Sequence, residues 1–479
     1  MASSFYWYDL ETSGTDPKWD RMVQVAGLRT DQDLNILGDE LCTYVRLGED
    51  VLLNPDASLV TGIMPETLQR EGIPEVQAWE EIMRRFTVPE TCVVGYNSLR
   101  FDDEFVRYGL YRHLFDPYAR EWQSGCSRWD LIDLVRATGA LRREGIHWPQ
   151  DEDGLPVYKL EELTKANDIG HSNAHDALAD VHATIAMARL IKQQQPKLFD
   201  YYFGLRNKRA VREMLEPYGA HLLVHVSGMN PRERFGVAPV VSVTRHPTNT
   251  NSVIVVDLAQ DLTPLLEQSE DEIRDQLFTR GPHARPPLKE VKINRCPFIA
   301  PIDVLNDENQ RRLQLNMREI KERVRRLKQP GLLQKIRRVY TQPQQRLTED
   351  ADAALYQGFL QDEDRSRCQH FHANRREGDW PSMDFSDPRL IPLAQRMKAR
   401  SHPDLLDPEE QAQWQNFVAE KLHGDGDWLN LRRFHARLDE LSVTLDAEGE
   451  VTKLGYMQQL REYGLALSER YPDTVGAAQ

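Results

Sequence analysis

The stretch FYWYDLE, residues 5–11, decides how the chain folds. Four consecutive aromatic residues leading into Asp9, Leu10 and Glu11 predict a strand. Side chains two apart on a strand point to one face, so Asp9 and Glu11 share a side. Two like charges in one small site are costly unless a cation lies between them, and hard oxygen donors of this kind suit Mg²⁺ or Mn²⁺. Standing alone, such a pair more often marks an exposed sheet edge. Outward from it, MVQVAGLRT (22–30) and LCTYVRL (41–47) predict strands, AWEEIMRRF (78–86) a helix and TCVVGYN (91–97) an apolar strand. Strands interleaved with helices predict an α/β layer.

The chain of 479 residues is too long for one core and predicts two to four domains. Its 40% hydrophobic and 28% charged residues, with a mean hydropathy of −0.60, exclude membrane-spanning and collagen-like classes. The start, MASSFYWYDLETSG, shows no basic segment followed by a long apolar one. The five cysteines are scattered without a CxxC spacing, so a reduced, cytoplasmic location is expected. The net charge of −15 is unevenly spread: about −14 over residues 1–200, +7 over 201–350 and −8 over 351–479. Eleven basic residues stand between Arg311 and Arg338 against only Glu319 and Glu322. That run fits either a solvated helix face or a polyanion surface.

Two further stretches carry candidate chemistry. In GYNSLRFDDEF (95–105) an apolar strand gives way to a loop, and Asp102 opens a helix; Asp102 or Asp103 would equally serve as an N-cap. In HSNAHDALADVHATIAMARL (171–190), His175 precedes Asp180 by five, placing the histidine before or on the first turn and the aspartate inside the helix. The helical pattern from Ala174 to Gln194 is closed by Pro196. Beyond it, LLVHVSGM (222–229), APVVSVTRH (238–246) and SVIVVDLA (252–259) predict a small β-barrel. From about 304 the pattern is helical, and it is read as helical after 350 as well, including ALYQGFL (354–360).

The order DxE, NxxxFD and HxxxxD resembles the histidine branch of the DEDD exonucleases, and YDLETSG, SRWDL, LEELTKAN, HSNAHDALADVHATIAMA, FDYYF and VHVSGM extend the likeness to the bacterial exonuclease I family. The resemblance implies an α/β, ribonuclease H-like exonuclease core over 1–195, an SH3-like β-barrel domain with the basic helices over 196–350, and a helical domain over 351–479. It implies a cytoplasmic monomer of the repair and recombination machinery that releases 5′-mononucleotides from the 3′ end of single-stranded DNA. Four carboxylates, Asp9, Glu11, Asp102 and Asp180, would hold two Mg²⁺ ions about 4 Å apart, with Mn²⁺ able to substitute. Asp9, Glu11 and Asp180 would bind one ion, Asp102 would act largely through water, and His175 would take a proton from the attacking water. Asp102 is preferred to Asp103 because it follows Phe101 of the motif.

Between the second and third motifs, aromatic rings alternate with arginines, as a single strand requires for stacking and phosphate tracking. By position, Arg107, Tyr118, Trp122 and Arg136 are the expected strand contacts, with Glu11 and Lys159 at the terminal nucleotide. Lys159 stands where relatives can carry arginine, so a point charge replaces a fork. The resemblance also implies docking of the acidic, Phe-ended C-terminal tail of the single-stranded DNA-binding protein, with Arg142, Tyr201 and Arg312 as contacts. An RNA-trimming enzyme with the same core and a non-catalytic binding scaffold are the alternatives.

Overall fold

The computed structural model describes residues 3–170, 176–279, 285–341, 348–375 and 380–473. The first sheet is built from β1 (Ser4–Thr12), β2 (Met22–Thr30), β3 (Ile36–Tyr44), β4 (Thr91–Gly95) and β5 (Ser127–Asp130), in the order β3-β2-β1-β4-β5. β1 is central, antiparallel to β2 and parallel to β4. Its aromatic residues are buried on both faces because helices cover both sides of the sheet: Trp7 is fully enclosed and gives its indole N–H to Thr30 Oγ1 at 2.9 Å. The helix Ala177–Gln194 lies across β1 and β2.

The pairing of β1 with β4 runs from Ser4↔Thr91 to Trp7↔Val94. Asp9 and Glu11 thus extend past the end of β4, at the crevice beyond the carboxyl ends of the parallel strands, where open α/β sheets place their ligands.

Pro196 ends one helix and begins the next, Pro196–Gly204. That second helix turns back on the first sheet, with Phe203 5.1 Å from Phe5 and Phe199 5.2 Å from Trp129. The SH3-like domain is a five-stranded antiparallel sheet of β6 (Leu222–Val226), β7 (Val237–Arg245), β8 (Ser252–Asp257), β9 (Leu288–Lys292) and β10 (Phe298–Pro301), in the order β10-β6-β7-β8-β9. The basic run forms the helices Asp307–Arg312, Met317–Arg326 and Leu332–Val339, which bury Ile320, Leu332, Ile336 and Val339 and turn most of their cations outward. One hydrophobic core is continuous from the helix-covered face of the first sheet into this domain.

Among the described residues the third domain is mostly helical from Asp362 onward, but ALYQGFL is not a helix. It makes one 3₁₀ turn, Leu355–Gln357, directly after another at Ala351–Ala353, and runs out extended at Gly358. Here tertiary packing overrides the helical pattern: Ala351 and Leu355 are buried beside Val76, Tyr108, Tyr111 and Leu114 of the first domain. A second apolar seam joins Leu52, Met64 and Leu68 to Val418, Phe434 and Leu460. Between the two seams lies a buried ion network. Asp352, with no exposed surface, receives Arg21 at 3.1 Å and Arg400 at 2.9 Å, while Arg400 also grips Asp50 at 3.1 and 2.7 Å. Among the described residues no helix is long and apolar enough to cross a membrane. All five cysteines are free.

Candidate active site

Strand β1 brings Asp9 and Glu11 to one face, and the first turn of the helix Ala177–Gln194 brings Asp180 to meet them. The helix start is fixed by Asp176, whose side chain accepts the Ala179 N–H at 3.0 Å. One carboxylate oxygen from each of Asp9, Glu11 and Asp180 lies within 4.8 Å of the others. Burial, followed by the Asp180, Asp102 and Asp176 charges, pushes the Glu11 carboxyl up to about 8. Burial, followed by the Asp102, Glu11 and Asp180 charges, raises Asp9 well above the usual carboxylate range. Asp102 is pushed up to about 8, foremost by burial, against backbone hydrogen bonds at Asp102 and Leu10. Three carboxyls raised foremost by burial, with the Asp180 charge beside Asp9 and Glu11, form a site that a divalent cation with a taste for hard oxygen would relieve. Asp102 stands outside the close triplet yet within its electrostatic reach. His175 lies outside the described residues.

Asp102 and Asp103 are adjacent in sequence and opposite in environment. Asp103 turns away from the site and accepts from Arg120 and Arg128, with Arg107 at 3.8 Å. Burial alone would raise it, but Arg120, Arg128 and Arg107 overcome that effect and hold it well below the usual range. The loop leading to Asp102 is organised by Asp130, whose carboxylate accepts the amides of Asn97 at 2.9 Å, Leu99 at 3.0 Å and Ile132 at 3.0 Å. Sequence reasoning assigned Asp130 no role. Its signal was its place before the leucine of SRWDL, where an aspartate between strand and helix caps both the helix and a neighbouring loop.

The other expected contacts fall into two groups. Arg136 and exposed Lys159 face one cavity of about 720 Å³ between the first and second domains, shared with Tyr158, Arg232 and Phe235. Tyr118 and Trp122 lie beyond the end of the helix Asp102–Arg112, with Trp122 65% exposed. Arg107 is buried; it is held by Glu121 at 2.9 Å and Glu104 at 3.1 Å and lies 5.5 Å over the Tyr118 ring. Glu104, also unforeseen, receives Arg295 of the second domain at 2.5 Å and the Tyr356 hydroxyl of the third. Of the remaining three, Arg142 donates to the Val304 carbonyl at 3.2 Å and Tyr201 to the Ile299 carbonyl at 2.7 Å. Arg312 donates to the Ala140 carbonyl and lies 4.6 Å over Phe235. Arg142 and Tyr201 thus hold β10 and the segment after it, while Arg312 ties the first basic helix to the first domain.

A carboxylate cluster at the mouth of a ribonuclease H-like sheet, carrying an SH3-like domain and a helical domain, defines the chain as an exonuclease. The sequence matches the family models described as "Exonuclease" over residues 6–188, "Exonuclease I SH3-like domain" over 206–342 and "Exonuclease I C-terminal domain" over 349–467. It is 42% identical to exodeoxyribonuclease I of Escherichia coli K12 over 444 residues, covering 90% of this chain and 93% of that protein. The structure of E. coli exonuclease I in complex with a dA16 oligonucleotide matches with a TM-score of 0.91 at 38% identity, covering 97% of this chain and all of that one. Similar matches are an SSB/exonuclease I structure with an inhibitor (TM-score 0.88, 37% identity, 98% and 100% covered) and a zinc-bound E. coli exonuclease I–ssDNA complex (TM-score 0.90, 38% identity, 97% and 99% covered). The chain belongs to the exonuclease I family.

Proposed function

We propose that this chain degrades single-stranded DNA from the 3′ end, releasing 5′-mononucleotides, in DNA repair and recombination. The observation that carries the reading is the Asp9–Glu11–Asp180 triplet, with oxygens within 4.8 Å at the end of the parallel strands. Such a donor set fits Mg²⁺, with Mn²⁺ as a substitute, and the zinc-bound relative supports a divalent ion. Two ions held by Asp9, Glu11, Asp180 and Asp102 would supply charge stabilisation to the attacking and leaving oxygens of an in-line displacement. His175 accepts the proton of the attacking water. Asp130 holds the loop that sets Asp102, and Glu11 and Lys159 flank the terminal nucleotide. Arg136, Tyr118 and Trp122 guide the strand, and Arg107 steadies the Tyr118 ring.

The relative solved as SSB/exonuclease I supports a partner site for the acidic tail of the single-stranded DNA-binding protein around Arg142, Tyr201 and Arg312. The test of the activity is incubation with 5′-labelled single-stranded DNA, duplex DNA and RNA, each with Mg²⁺ or with chelator. Stepwise shortening of the single-stranded DNA with Mg²⁺ alone is expected. Shortening of RNA instead, or of nothing, overturns the reading.

A further inference from the structure

Strands β1 and β2 lose register directly after Glu11: Glu11 stands opposite Gln24 and Thr12 opposite Met22, which leaves Val23 one residue too many. Such a bulge re-aims the side chains beside it, and here its neighbour is one of the three metal-site carboxylates. Val23 has no exposed surface and packs in the seam with Val418 and Leu460 of the third domain. The loop that closes the bulge, residues 13–21, is tied at its base: the Ser13 amide donates to the Arg21 carbonyl at 2.7 Å, and the Arg21 amide to Ser13 Oγ at 2.9 Å. Its far end is held by two buried arginines. Arg112 donates to the carbonyls of Pro17 at 2.5 Å, Lys18 at 2.5 Å and Asp20 at 3.3 Å, and reaches the Asp352 carbonyl of the third domain at 3.3 Å. Arg21 donates to the Trp19 carbonyl at 2.8 Å while its other terminal nitrogen meets the Asp352 carboxylate. The Trp19 ring lies 4.4 Å from the Lys421 ammonium and 5.3 Å from the Trp428 ring, both of the third domain.

We propose that Arg112 is a positioning residue of the metal site: it fixes the loop 13–21 and so the bulge that aims Glu11 at Asp9 and Asp180. This rests on the reading of those carboxylates as a divalent-metal site. A guanidinium suits the task, because its five N–H groups in one plane hold several loop carbonyls at once, which a compact ammonium does not. Arg112 also ends the helix whose first residue is Asp102. One rigid element of about 15 Å therefore carries the fourth carboxylate at one end and the clamp on the loop after Glu11 at the other. The third domain supplies the fixed side of the clamp through Asp352, Lys421 and Trp428, and thereby acts on metal binding from outside the site.

The test reads metal binding without cleavage: the full chain, free of DNA, is titrated with Mn²⁺, and the free ion is followed by its electron paramagnetic resonance signal. Arg112→Lys, which keeps the charge and loses the fork, should weaken Mn²⁺ binding roughly 10-fold or more. Trp19→Ala, which frees the loop from the third domain and removes no buried charge, should weaken it at least about threefold. Ile336→Ala opens a cavity in the second domain and lowers the melting temperature, yet should leave Mn²⁺ binding within about twofold. Wild-type Mn²⁺ affinity in folded Arg112→Lys overturns the proposal; if that variant does not fold, wild-type affinity in Trp19→Ala does so. An equal loss in Ile336→Ala also overturns it, since a general loss of stability then explains the effect. If the wild-type chain binds no Mn²⁺, or Glu11→Gln binds it as the wild type does, the metal reading fails first.

Discussion

Glu11, with its carboxyl pushed up to about 8, makes the metal-free protein sensitive to pH in a direction opposite to an ordinary salt-bridged acid. The folded state holds a proton that the unfolded chain, with its glutamate near 4.3, releases, so stability is full below about pH 4 and falls as pH rises toward 8. Melting temperatures in chelator should therefore decline across that window, less steeply in Glu11→Gln, and Mg²⁺ should reverse the decline at pH 8. Ala at Asp9, Glu11, Asp102 or Asp180 should lower cleavage at least about 10³-fold without lowering the metal-free melting temperature, because each removes a repelled charge. His175→Ala should slow single-turnover cleavage roughly 10²- to 10⁴-fold at unchanged DNA affinity, with partial recovery at raised pH. A loss of affinity equal to the loss of rate would make His175 structural. The Asp9 and Glu11 pair was legible because strand period is local geometry, whereas Asp180 joined it only through the family resemblance. The burial of Arg107 was not, since it depends on Glu121 fourteen residues away and Tyr356 a domain away.

The helix Asp102–Arg112 serves two purposes with neighbouring residues, and mutation should separate them. Asp103→Ala strands buried Arg120 without its carboxylate and leaves buried Arg128 with Glu121 alone, and should cost about 3–5 kcal/mol in urea unfolding. Asp102→Ala should cost none. The sequence preferred Asp102 on motif position alone; it held no sign that Asp103 meets arginines 17 and 25 residues downstream. Elements with strong periodicity, from β1 to the helix Ala177–Gln194, were readable, whereas β9 and β10 were not, being short and paired with strands far away in sequence. ALYQGFL carries a helical spacing whose apolar residues are spent on another domain, a use that no local pattern reveals.

Across the whole molecule, Asp352 is the point where charges from the first and third domains meet. Burial would raise its carboxyl, but Arg400, Arg396, Arg21 and Arg112 hold it well below the usual range. Its contribution to stability is therefore present above about pH 4 and is lost only as pH falls through that lowered value. Asp352→Ala should lower unfolding free energy by about 3–5 kcal/mol at pH 7 and expose the linker before residue 362 to limited proteolysis. Unchanged stability would show that the two apolar seams suffice. The network also bears on the order in which the protein is made. Arg21 and Arg112 are synthesised more than two hundred residues before Asp352, whose carboxylate receives the first and whose backbone carbonyl receives the second. Until the ribosome reaches Asp352, the nuclease domain carries those cations with only its own Asp50 and Glu75 as counter-charges, beside apolar residues that have no cover. The side of the first domain that bears Arg21 and Arg112 is thus an interior surface, and cutting the chain before Asp352 would open two buried arginines and the apolar residues around them to water.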